Sequence, residues 1–345
     1  VKTLLTKSPS RAASFIKRSE VVAFPTETVY GLGANVFDEK AVEKIFRLKN
    51  RPLNNPLIVH ICDEKQLELL TSNIPEIAEK IIEKFFPGPI TVIIRKNELV
   101  PELVTAGLNT VAIRMPSPTL TRNFIKESRV PIAAPSANLS GSPSPTSYYH
   151  VLEDFDGKIP CILVGPDAKF GVESTVVDCT SRIPRILRPG VITLEQLKRI
   201  DKRIRLSSRG KIRSPGQMFK HYAPKAKVII VDRPPNSLEE VPGLGFLPVV
   251  LPQFPDSMAP VFPVPLFPIR HRKTSRVAYI GITPPRNSNL FSLALICKNE
   301  NEYARKLFSF FRKCDRKGIR IIYTQKVTEK GIGLAIMNRL QKAAI

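Results

Sequence analysis

Short apolar runs, each broken by a polar or glycine-bearing turn, set the rhythm of the first two hundred residues. They read VVAF at 21–24, LIVHI at 57–61, ITVII at 90–94, VAI at 111–113, PIAA at 131–134, CILV at 161–164 and VV at 176–177. Runs this short, flanked by Gly, Pro, Ser and Asn, predict strands rather than buried helices. Helical periodicity fills the intervals. Residues 8–19 place Phe15 and Ile16 inward, and 39–46 place Ala41, Val42, Ile45 and Phe46 on one stripe. Residues 64–70, 75–86 and 118–127 read as helices, the second opening on a proline. ILRPG at 186–190 closes this unit. Beyond it, strands at 228–231, 277–282 and 319–323 alternate with helices at 302–314 and 334–344. Tyr303, Leu307 and Phe311 recur every fourth residue. The pattern predicts an α/β or α+β sheet domain followed by a smaller, Rossmann-like α/β domain. The smaller one has no glycine fingerprint, so a structural or lid role outranks a nucleotide site there.

The turns carry the candidate chemistry. After the strand at 21–24 comes PTETVYGLG, with hydroxyls, a carboxylate and glycines. Glycines let backbone approach a ligand, and strand ends present side chains to a cleft. A helix start capped by Thr26 or Thr28 fits the same residues. KNRPLNNPL at 49–57 reads as a rigid basic loop, with Lys49 and Arg51 aimed at phosphate or carboxylate oxygens. An ordinary solvated turn is the plain alternative. Arg114 ends a strand that looks buried, so it needs a partner: a carboxylate of the fold, or the carboxylate or phosphate of a ligand. PSANLSGSPSPT at 135–146 is dense in small polar groups suited to a phosphate or a base edge, and also to a plain surface loop. His221 and Tyr222 fit a polar clamp or a docking turn equally.

Composition narrows the setting. A chain of 345 residues exceeds one usual core, which favours two domains. Residues 198–213 hold eight Lys or Arg against one Asp and read as a linker. The expected division is 1–200, a basic linker 201–224, and 225–345. Eight prolines in 242–268 suit neither a helix nor a central strand. The net charge of +23 predicts attraction to polyanions without saying which. No apolar run reaches membrane-spanning length. The opening VKTLLTKSPSRAASF has too short an apolar stretch for a signal peptide, and its basic, acid-free character leaves an organellar targeting remnant open. Five cysteines without paired spacing suggest neither a zinc site nor a disulfide scaffold, and a cytoplasmic setting is expected.

Taken together, FPTETVYGLGAN, KNRPLNNPL, FPGPIT, VAIRMP, PIAAPSANLSGSPSPT, GVESTVVD and ILRPG resemble, in order and spacing, the Sua5/YrdC/YwlC family of threonylcarbamoyl-AMP synthases. SPGQMFKHYAP at 214–224 and the segments at 303–315 and 331–344 resemble its two-domain Sua5 form. The resemblance implies a YrdC-like twisted open mixed sheet plus a Rossmann-like α/β Sua5 domain. It implies condensation of L-threonine, bicarbonate and ATP to threonylcarbamoyl-AMP and pyrophosphate. Partner enzymes then place the group on adenosine 37 of ANN-decoding tRNAs. Lys49 and Arg51 would clamp the triphosphate, with Mg²⁺ held mainly through the phosphates. Asn55, Thr110, Ser136, Asn138, Ser144, Arg188, His221 and Tyr222 would bind ATP. Thr26, His60, Arg114 and Ser174 would take L-threonine. The family often has glycine between the Lys and Arg of its basic motif where this chain has Asn50, a residue that tolerates unusual backbone angles. A non-catalytic RNA-binding module explains the charge but not the small-hydroxyl turns. A carbamoyl-phosphate-dependent maturation factor of the same fold would carry zinc-finger cysteines, and no CxxC occurs here. An interaction role for the proline-rich segment is compatible with catalysis.

Overall fold

The structure, a computed structural model, describes residues 2–207, 222–235 and 276–344. The first unit is built on an eleven-stranded mixed sheet. Its strands are β1 (Leu4–Thr6), β2 (Val22–Phe24), β3 (Gly31–Asn35), β4 (Ile58–His60), β5 (Ile90–Arg95), β6 (Thr110–Arg114), β7 (Ile132–Ala134), β8 (Cys161–Leu163), β9 (Thr175–Asp178), β10 (Arg185–Arg188) and β11 (Arg205–Leu206). Across the sheet they run β1-β8-β2-β3-β7-β4-β6-β5-β9-β10-β11. The helices are α1 (Pro9–Ile16), α2 (Glu39–Lys49), α3 (Glu76–Phe85), α4 (Glu102–Thr105), α5 (Thr119–Ser128), α6 (Tyr148–Phe155) and α7 (Leu194–Lys198).

Side-chain alternation divides the central strands. Val111 and Ile113 of β6 enter the main core with Val92, Val59, Ile81 and Phe46. Thr110, Ala112 and Arg114 face the other way. There Ala112 joins Ile58, Ile93 and Val176 in a small apolar floor. Burying each large side chain of the core is worth about 1.5–3 kcal/mol, which fixes the register. The polar and charged residues of the second face are therefore held at set positions.

The second unit has four parallel strands, β12 (Lys227–Val231), β13 (Val277–Gly281), β14 (Leu293–Ile296) and β15 (Ile321–Gln325), ordered β12-β15-β13-β14. Helices α8 (Glu300–Arg316) and α9 (Gly331–Ala343) complete it. At the strand ends, Gln325 Oε1 accepts from Tyr279 Oη and from the amides of Ile282 and Thr283. Gln325 thus ties the C-terminal end of β15 to the segment that follows β13.

Several expectations shift. GLG at 31–33 lies in β3 rather than in a turn. A Cβ on Gly33 would sit 2.4 Å from Ile132 Cγ2, so this glycine serves packing, not ligand approach. Lys49 is the last residue of α2, not part of a loop, and Asn50 caps that helix at φ 51°. Residues 64–70 hold only a single 3₁₀ turn, Glu64–Leu67. Within the stretch expected as linker, Arg205–Leu206 pairs with β10. The proline-rich 242–268 and all of 208–221 lie outside the described residues.

Candidate active site

A narrow cavity of about 60 Å³, partly open to solvent, lies on the second face of the first sheet. Ile58 and Ala134 form its floor, from paired positions of β4 and β7. His60 and Arg114 stand side by side at the ends of β4 and β6, which run parallel and pair at those residues. The β2–β3 loop supplies Thr26 and Thr28, the α2–β4 loop Arg51, the segment after β7 Ser136, the approach to β9 Glu173, and the end of β10 Arg188. Tyr222 arrives from beyond the first unit.

Each loop has a local reason for its shape. No helix follows Thr26. Its hydroxyl accepts from the amides of Thr28 and Val29 at 3.1 and 3.2 Å and donates to Val29 O at 2.6 Å, closing a compact hydroxyl turn. Arg51 is pinned by its own loop: Nε donates to Asn55 O at 3.1 Å and Nη2 to Pro56 O at 2.8 Å. Burial draws its guanidinium down to about 9, still charged at neutral pH. Arg114 has the partner its burial demands. Nη2 lies 2.7 Å from Glu27 Oε1, Nη1 donates to Thr28 Oγ1 at 2.9 Å, and Nε donates to Gly88 O at 3.3 Å. The compensating carboxylate comes from the fold, while the guanidinium still lines the cavity. His60 Nδ1 lies 3.2 Å from Ile58 O, and the ring meets Phe24 edge-on at 5.5 Å. Burial, and then Arg114, push its pKa down to about 3, so the imidazole is neutral.

The expected residues separate into those that line the cavity and those that hold its wall. Thr26, Arg51, His60, Arg114, Ser136, Arg188 and Tyr222 line it. Lys49 does not. It is 2% exposed, and its Nζ donates to the carbonyls of Ser136 and Asn138. It fastens α2 to the 136–138 loop rather than pointing into solvent. Burial and the neighbouring Arg51 hold its ammonium well below the usual lysine range. Asn138 turns back on its own loop, donating to Leu139 O at 2.7 Å and Ser142 O at 2.9 Å. Ser144 donates to Glu173 Oε1 at 2.6 Å. Ser174 sits behind the wall, its hydroxyl 2.8 Å from that of Thr91 and accepting from Arg188 Nη2 at 3.1 Å. Asn55 is buried, and its Nδ2 has no hydrogen-bond partner. Thr110 lies outside the lining, at the start of β6 and on the same face of that strand as Arg114. His221 is outside the described residues.

Sequence reasoning missed the carboxylates Glu27 and Glu173. Both lie inside motifs singled out for other residues. Glu27 was findable, because a buried arginine requires an acid and it is the only acid in 24–35. Among the described residues, no three His, Cys, Asp or Glu side chains cluster as a metal site.

Comparison with known proteins places the chain among relatives along its length. A family model described as telomere recombination, of the Sua5/YciO/YrdC type, matches residues 14–190. A second, described as the C-terminal domain of threonylcarbamoyl-AMP synthase, matches 192–345. The threonylcarbamoyl-AMP synthase of Pyrococcus abyssi is 43% identical over 339 residues, covering 96% of this chain and 93% of its own length. That of Bacillus subtilis is 40% identical over 347 residues, covering 97% and 92%. The crystal structure of P. abyssi Sua5 complexed with L-threonine superposes with a TM-score of 0.83 at 41% identity, covering 99% of this chain and 97% of that one.

Proposed function

The chain belongs to the two-domain Sua5/YrdC family of threonylcarbamoyl-AMP synthases, and from that premise we propose how its cavity carries the reaction. The reaction joins L-threonine, bicarbonate and ATP into threonylcarbamoyl-AMP, releasing pyrophosphate and water. One observation carries the assignment. Three arginines from separate loops and strands, Arg51, Arg114 and Arg188, converge on one cavity whose other polar lining is small hydroxyls, a neutral histidine, the phenols of Tyr30 and Tyr222 and a single carboxylate, Glu173.

Threonine sits at the Thr26–His60–Arg114 end. Arg114, pre-set by Glu27 and Thr28, presents its remaining hydrogen-bonding edge to the amino-acid carboxylate. The nucleotide runs from there toward Arg51, Asn55 and Thr110. Thr110 and Arg114 are four strand residues apart, roughly 13 Å, which suits an amino acid and a phosphate chain laid end to end. The unpartnered Asn55 amide suits a phosphate oxygen. Ser136, Arg188 and Tyr222 complete the nucleotide wall. Lys49, Asn138, Ser144 and Ser174 act through the groups they hold. His221 is assigned to ATP only by its place next to Tyr222 in the sequence.

The threonine amine adds to carbon dioxide or bicarbonate to give a carbamate. A carbamate oxygen attacks the α-phosphorus, and the bond to the pyrophosphate oxygen breaks. Fixed cations stabilise the charge that spreads over the phosphoryl oxygens, and no covalent enzyme intermediate is required. Mg²⁺ travels on the phosphates, since Glu27 and Glu173, the carboxylates at the cavity, are engaged by arginines. The labile product passes to a transferase acting on tRNA.

The test is pyrophosphate release from ATP with Mg²⁺, scored with and without threonine and bicarbonate. Release that needs both, and is weaker with serine, supports the assignment. Release indifferent to threonine, or none at all beside salt-sensitive tRNA binding, overturns it in favour of an RNA-binding module.

A further inference from the structure

Glu173 is an awkward residue for an anion site. It lines the cavity, is 5% exposed and carries a carboxylate where ATP must bring several negative charges. What offsets it comes from the other unit. Arg339, on α9, is fully buried, and its Nε donates to Glu173 Oε2 at 2.9 Å. Its Nη1 donates to Pro189 O at 2.6 Å, next to Arg188, and its guanidinium lies 5.6 Å from the centre of the Tyr222 ring. One side chain of the second unit thus touches three segments that build the cavity. Its Nη2 has no hydrogen-bond partner, so the cation is not fully used by the protein around it. Burial works to raise the Glu173 carboxyl, and Arg339 and Arg188 outweigh it, holding Glu173 ionised.

The geometry points to Arg339 as a positioning residue that makes the cavity receptive to nucleotide by taking up the charge of Glu173. Without Arg339, Glu173 turns to Arg188, the other arginine that acts on its carboxylate, and removes it from the nucleotide wall while adding a negative charge of its own. Docking of α9 on the first unit is therefore part of the anion site, not only of the interface. Threonine binds at the Arg114 end, where Glu27 is already paired, and is affected less. This inference rests on the reading of the cavity as the ATP and threonine site.

The experiment measures threonine-dependent pyrophosphate release at varied ATP and varied threonine for the full chain and for R339Q, E173Q and R339Q/E173Q. R339Q is expected to raise KM for ATP at least tenfold and KM for threonine less than threefold. Removing the stranded carboxylate in R339Q/E173Q restores most of the ATP KM, a rescue that a merely structural arginine would not show. E173Q alone lowers KM for ATP, because Arg339 then faces the cavity uncompensated. This arm decides the question even if R339Q does not fold. An unchanged R339Q, a double variant no better than R339Q, or an E173Q whose KM for ATP rises overturns the proposal. Failure of the parent chain to turn over at all defeats the underlying functional reading instead.

Discussion

At the scale of single residues, the proposed role of Asn55 in nucleotide binding sets binding against stability. Asn55 keeps a buried amide without a partner, an arrangement that costs the empty protein about 1–3 kcal/mol. N55A is therefore expected to change the urea midpoint of the ligand-free protein little, or to raise it, while weakening ATP at least tenfold. A large loss of stability with unchanged ATP KM would show the amide to be structural. His60 bears on pH. Its folded pKa of about 3 lies below the unfolded value of about 6.5, so between these values the unfolded chain binds the extra proton and stability falls as pH falls. At pH 5 the loss from this residue is about 2 kcal/mol relative to pH 7. H60N should cut the difference in unfolding free energy between pH 7 and pH 5 by about that amount, and a difference equal to wild type would refute the neutral buried assignment. His150, lowered to about 4 mainly by burial, acts with the same sign and remains in both proteins. Among these residues the types were legible and their facing was not. Lys49 and Arg51 look alike as two cations in a motif. Lys49 ends a helix and turns inward, whereas Arg51 follows the left-handed Asn50 and reaches the cavity.

At the scale of elements, strands were more legible than their connections. An apolar run such as ITVII must be buried wherever it lies, so its identity survives ignorance of its neighbours. Helix α6 escaped notice because its eight residues follow a run of Pro and Ser, and only the Ser147 cap and the buried His150, Val151 and Phe155 mark it. Strand β14 escaped because four apolar residues at a sheet edge look like any loop. Helix α6 earns its place by what docks beside it. Arg312 of α8 meets Asp154 Oδ2 at 2.7 Å, Glu153 Oε2 at 3.3 Å and Pro143 O at 2.8 Å. With the Arg312 side chain 6% exposed and that of Asp154 12%, this pair is largely buried, and removing one partner strands the other. R312A is expected to destabilise the protein by about 3–5 kcal/mol in urea unfolding. R312L/D154L should recover most of that loss, since neither charge is left unpaired. An R312A protein with an unmoved midpoint would mean that α8 is held by its apolar face alone.

At the scale of the whole molecule, the motifs were legible as one set because each contains or borders a strand of one sheet. How the two units meet was not legible. Arg339 and Glu173 are 166 positions apart, and nothing in either local sequence names the other. The same distinction governs the net charge of +23, which says nothing about where the cations point. Several are inside: Lys49, Arg114, Arg188, Arg312 and Arg339 are all 6% exposed or less. Buried cations are screened weakly by salt, whereas surface cations meeting a polyanion release counterions and weaken steeply with it. If catalysis runs on the buried set, KM for ATP should rise less than about fivefold between 50 and 200 mM KCl. Binding of tRNA through six or more surface contacts would fall by about a thousandfold or more over the same range. Measured side by side, these slopes separate the two uses of the charge. At 200 mM KCl, excess tRNA should leave threonine-dependent pyrophosphate release unaltered. Competition that persists there would place tRNA phosphates in the cavity itself and return the basic excess to the active site.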